Sequence, residues 1–184
     1  MRLAWSRPRY RRLNPQMSNN WCKVRLIIAG RRPDVLSFSR LARLRPSSVF
    51  EPDMLHGEGG DLSSERIKRI ETLGPDFVKK VYSFQVLADD GLEHFRRLSR
   101  KEGALCFVLV YADPNCDSYG SYFITQGRAR RYEQPDRLKQ EVMERHGYTG
   151  DSDEEWRFWE ASSELMDLAE RHWKDSVLKR GGQP

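Results

Sequence analysis

The run Leu105-Cys106-Phe107-Val108-Leu109-Val110-Tyr111 constrains the fold more than any other stretch of this chain. It is too short for an ordinary helix and has no polar face. A segment of this kind is a strand buried on both sides, so it belongs at the centre of a sheet. A second apolar run, Val24 to Ala29, follows Asn20-Trp21-Cys22 and marks a first strand over Lys23–Ala29.

The remaining elements are read from periodicity and punctuation. Val35 to Leu44 carries Leu36, Phe38, Leu41 and Leu44 at mixed spacing and fits neither helix nor strand cleanly. Residues 46–62 read as a long loop, either functional or disordered. Ser63 or Ser64 caps a helix with Ile67, Ile70 and Leu73 on one face, ended by Gly74-Pro75. Phe77 to Leu87 is rich in β-branched and aromatic residues and reads as a strand. Asp90 and Glu93 have the spacing of a capping box, opening a helix whose stripe is Leu92, Phe95 and Leu98. Tyr119 to Thr125 pairs with the central strand, Gly120 marks a bulge, and Arg128 to Tyr132 extends the sheet. Pro135 opens a short helix with Leu138, Val142 and Met143. A longer helix, Glu154 to Leu178, carries the stripe Trp159, Met166, Ala169, Trp173 and Val177. Trp156 lies off that stripe and is the candidate for an exposed contact.

These elements predict an α+β fold: a ferredoxin-like antiparallel sheet packed by helices, with a C-terminal helical extension. The expected organisation is a basic tail at 1–16, a ferredoxin-like domain at 17–134 and the helical extension at 135–184. The chain carries 32 Lys+Arg against 27 Asp+Glu. Residues 1–16 hold five arginines and no acid, so residues 17–184 are formally neutral. The tail has two readings. Arg7, Arg9, Arg11 and Arg12 form a phosphate-binding arm, or these residues precede a true start at Met17. No stretch approaches the roughly 20 apolar residues of a membrane helix, so a cytoplasmic protein with no membrane partner is expected. Cys22, Cys106 and Cys116 form no CxxC pair and read as reduced thiols.

The chemical candidates are few. Asp113-Pro114-Asn115-Cys116-Asp117 begins like a calcium loop, but Ser118 and Ile124 stand where glycine and a bidentate Glu are needed. No metal and no cofactor are expected. His56, Gly57, Gly59 and Gly60 belong to a Gly-rich segment whose amides could cradle a phosphate at the start of the Ser63 helix. The segment lacks the Lys-Ser/Thr of a Walker motif, and a plain loop is the competing reading. Nothing in the spacing brings Cys116 to His56, His94, His146 or His172, so no catalytic residue is named. Tyr82 and Tyr111, with Phe84, Phe107, Tyr119 and Tyr122, lie on strands. They either stack single-stranded bases or fill the core. The neutral body and the missing ribonucleoprotein consensus favour the core.

The chain resembles the YubB-like ferredoxin-like family of plasmids and phages. The matching residues are Asn20-Trp21-Cys22, Leu36-Ser37-Phe38, Tyr82-Ser83-Phe84, Leu98-Ser99, the Phe107–Tyr111 strand and Tyr119-Gly120. The resemblance covers about residues 19–125 and implies a shape; it brings no activity and no site residues. The expected function is that of a non-enzymatic accessory protein of a bacterium or mobile element, acting by binding, with a protein as partner. The alternative is a nucleic-acid-binding module using the arginine tail and the aromatic sheet face. A third reading is a small hydrolase or transferase built on the 56–61 loop.

Overall fold

The first strand, β1 (Trp21–Arg31), sorts its side chains between two faces. Cys22, Val24, Leu26 and Ile28 join one core, while Ile27 and Ala29 join another on the opposite side. The structure is a computed structural model and describes residues 21–57, 60–70, 73–87, 91–113, 118–148 and 155–179. Helix α1 (Arg32–Leu44) starts with a proline in its first turn, where the missing amide is harmless, and with Asp34 near the positive end of the dipole. Its mixed pattern resolves into a buried stripe of Val35, Phe38 and Ala42, with Leu36 and Leu44 left exposed.

Residues 46–62 do not form the long loop expected. A 3-10 turn at Pro46–Ser48 leads into α2 (Pro52–Leu55) and a small hairpin of β2 (His56–Gly57) and β3 (Gly60–Asp61). Val49, Phe50 and Met54 are fully buried, and the Phe50 ring sits 5.3 Å from Tyr82 and 5.8 Å from Phe84. The segment plugs one side of the core.

No helix follows. Residues 63–64 and 68–69 are instead the edge strands β4 (Ser63–Ser64) and β5 (Lys68–Arg69), both paired with β6 (Phe77–Leu87). Between Ser64↔Tyr82 and Lys68↔Lys79, three residues of the edge face two of β6, so the edge is bulged. The spacing of Ile67, Ile70 and Leu73 suits a helix, but pairing with a long strand overrides that local preference.

Then come α3 (Leu92–Lys101), β7 (Cys106–Asp113), β8 (Ser118–Thr125), β9 (Arg128–Glu133), α4 (Asp136–Arg145) and α5 (Glu155–Lys179). The expected capping box does not open α3. Gly91 does, at φ 73, and Glu93 pairs with Arg96; Asp90 lies outside the described residues. Gly120 is no bulge, because the register of β8 runs unbroken against both neighbours. It is a close approach: a Cβ there would stand 2.1 Å from the Tyr132 carbonyl and 2.9 Å from the Tyr111 hydroxyl.

The fold is α+β, an antiparallel sheet in the order β4-β6-β1-β7-β8-β9, with β5 also on β6. The β4/β5, β6, β1 and β7 part has the split β-α-β arrangement of a ferredoxin-like sheet, and β8–β9 extend it past β7. Helices α1 and α3 cover one face. Helix α5 covers the other, contacting β7 and β8, so β7 is central and buried on both sides as its sequence predicts.

Candidate functional site

The tyrosines proposed for base stacking lie inside the protein. Tyr82 is 4% exposed and Tyr111 2% exposed, both in the core beneath α1 and α3. The Phe38 ring stands 6.2 Å from Tyr82, and the Tyr111 and Tyr122 rings stack at 5.1 Å. Neither ring face is open to a base, which corrects the stacking reading at these two positions. The opposite sheet face, which a ferredoxin-like fold can leave free, is occupied by α5.

The phosphate-loop reading loses its helix. His56, Gly57 and Gly60 belong to the β2–β3 hairpin, no helix N-terminus follows at Ser63, and Gly59 lies outside the described residues. Arg7, Arg9, Arg11 and Arg12 also lie outside them, as does Cys116. Cys106 is buried, which pushes its thiol far above the ordinary range and away from the thiolate. His94 bonds Glu51 at 3.0 Å and the Val49 carbonyl at 2.6 Å, and His146 bonds Glu164 at 2.8 Å. Both imidazoles fasten chain segments together. Among the described residues, no group of three His, Cys, Asp or Glu side chains converges on a point, and no helix is long and apolar enough to cross a membrane.

The site that sequence reasoning missed is the β9 edge. Among the described residues this strand pairs with β8 alone and ends the sheet, and all its residues except Tyr132 are exposed. The Gln134 amide bonds the Tyr119 carbonyl at 2.9 Å. Antiparallel pairs alternate, so Tyr132, Arg130 and Arg128 direct their backbone groups inward to β8. Ala129, Arg131 and Glu133 therefore direct theirs outward, where the edge is open.

The edge is anchored at its turn and along its length. The β8–β9 turn consists of Gln126 and Gly127, both at positive φ, as a two-residue hairpin requires. Helix α3 grips this turn. The Gly127 amide donates to Ser99 Oγ at 2.8 Å, and Arg96 Nε donates to the Gly127 carbonyl at 3.1 Å. Farther along β9, Arg131 donates to the Tyr111 hydroxyl at 3.2 Å and pairs with Glu133 at 3.2 Å.

Arg128 and Arg130 do none of this. They are exposed on the α5 side of the strand and have no ion-pair partner among the described residues. Arg100 and Lys101, at the end of α3, add exposed positive charge beside the turn. A sequence signal for this site existed: Arg128-Ala129-Arg130-Arg131 is the densest basic run beyond the tail. No protein-family model, curated protein or solved structure matches this chain.

Proposed function

We propose that this chain is a cytoplasmic accessory protein of a bacterium or mobile element, of the YubB-like kind, that acts by binding another protein through strand β9. The observation that supports this reading most is a regularly paired edge strand with outward backbone groups at Ala129, Arg131 and Glu133. Such an edge accepts a strand from a partner, whose main chain supplies the hydrogen bonds. The opposite edge, β4/β5, is short and bulged, which blunts it against pairing.

The charge on β9 selects the partner. Arg128 and Arg130 would face residues of the added strand two apart on one side, so that strand carries acids there. Two copies of β9 would bring arginines together, and like charges disfavour self-pairing. The partner is an extended acidic segment of another protein.

The test is capture from a nuclease-treated bacterial lysate, with cross-links mapped onto β9. Ala129→Pro deletes an outward amide without breaking a ladder bond, so the protein keeps its melting temperature. A captured protein that cross-links to β9 and is lost with Ala129→Pro and with Arg128→Glu/Arg130→Glu supports the reading. Capture unaffected by both variants, or capture that nuclease abolishes, sinks it.

A further inference from the structure

A cavity of about 210 Å³ opens at one end of the sheet, on the α5 side. Phe77, Leu105, Phe123 and Trp173 give it apolar walls, and Gly30 and Gly103 contribute no side chain to fill it. The volume suits an aromatic ring with a short chain; apolar cavities near 150 Å³ already hold benzene. Its polar lining comes from Thr125 and Gln126, and among the described residues no acidic side chain takes part.

Three features give the cavity a sign. Arg128 pairs with Thr125 and Arg130 with Phe123, so both arginines stand on the same sheet face directly beside lining residues. Facing side chains in such pairs start about 5 Å apart, within reach of a guanidinium. Both arginines lack an ion-pair partner among the described residues. Trp173, 8% exposed, has an indole N–H with no hydrogen-bond acceptor among the described residues. Buried donors without acceptors are uncommon, and this one belongs to a side chain that lines the cavity.

We infer that this cavity binds a small aromatic or apolar carboxylate, with the ring among Phe77, Phe123 and Trp173 and the carboxylate toward Arg128 and Arg130. This site shares Arg128 and Arg130 with the strand-pairing surface, but it takes its ligand in the cavity and leaves the outward backbone of β9 unused.

The probe is 3-phenylpropionate, compared with neutral 3-phenylpropanol in an amide-resolved NMR titration of the full chain. The acid should perturb the amides of Gly30, Gly103 and Thr125 and bind about tenfold more tightly than the alcohol, as expected for a charge-assisted contact. Arg128→Gln/Arg130→Gln, a surface change that leaves the fold intact, should bring the acid down to the affinity of the alcohol. Trp173→Phe keeps an aromatic wall but removes the donor, and should weaken the acid several-fold. The inference is overturned if neither probe perturbs those amides, if acid and alcohol bind equally to the unaltered protein, or if the double arginine variant binds the acid unchanged.

Discussion

The two faces of the sheet are closed by different means. Under α1 and α3 the core is aromatic and dry: Phe38, Phe50, Tyr82, Phe84, Phe95 and Phe107 meet edge-on or tilted at 5.3–6.5 Å. Under α5 the side chains are smaller, with Ala29, Ala112, Ala161 and Ala169 among them, and an ion network crosses the interface. Arg25 meets Asp167 at 2.7 Å and Glu170 at 3.0 Å, while Lys79 and Lys174 meet Glu170 at 3.1 and 2.9 Å. Shape closes the first face and charge helps to close the second. The second face also keeps a cavity, lined in part by Trp173, whose indole N–H has no partner among the described residues.

The largest effect should come from the dry face. Phe95 is fully buried against Phe50 and Phe84. Phe95→Ala leaves a void that rigid neighbours cannot collapse into and should destabilise by about 4 kcal/mol. Denaturant unfolding measures it. A loss under about 1 kcal/mol, near that of an ordinary surface substitution, would mean the two faces do not differ in packing.

The charged face should respond to pH. Burial opposes the charge on Glu170, yet the ionic bonds from Lys174 and Lys79 overcome it and hold the carboxyl at about 2, below its usual 4.5. Its folded pKa is depressed, so the stabilisation is complete above pH 4.5 and is lost as pH falls through about 2. Water reaches the outer partners Asp167 and Lys174, which screens the gain. Glu170→Gln should therefore cost about 2 kcal/mol at pH 7. The stability curves of the variant and the parent should converge as pH approaches 2. Parallel curves over that range would show that the network contributes nothing through Glu170.

The same contrast decides what was legible in the sequence. The apolar runs at Val24–Ala29 and Leu105–Tyr111 are read correctly as strands, because a short continuous apolar run needs no knowledge of its neighbours. The stripe of α5 is also read correctly at Met166, Ala169 and Trp173, and Trp156 is exposed as its position off the stripe predicts. What fails depends on partners distant in sequence. Ser63–Arg69 looks helical until β6 lies beside it, and Val49-Phe50 looks like loop until Tyr82 and Phe84 receive it. Gly120 suggests a bulge until the Tyr132 carbonyl is found where its Cβ would be. The candidate site was hardly legible. The open edge of β9 follows from strand order, and the cavity follows from which residues meet at the end of four strands and a helix. Arg128 and Arg130 are single letters in a charged stretch until their cross-strand neighbours are known.

The smallest effect joins the two faces. Gln126 sits at φ 48, which a branched or long side chain adopts only at a cost of about 1 kcal/mol. Helix α3 holds the adjoining Gly127 from the dry side through Ser99 and Arg96, while Gln126 lines the cavity on the charged side. Asn tolerates this conformation better than Gln, so Gln126→Asn should stabilise the protein by about 0.5 kcal/mol. Strain kept at such a position points to use. If Gln126 serves only the turn, Gln126→Asn raises stability and leaves 3-phenylpropionate binding unchanged. If the strain is retained for the ligand, the shorter amide gains stability and loses affinity together, measured on the same sample by thermal unfolding with and without the acid. A loss of stability would refute the strain argument itself, because the only compensating contact Gln126 could then be making is one that holds the turn.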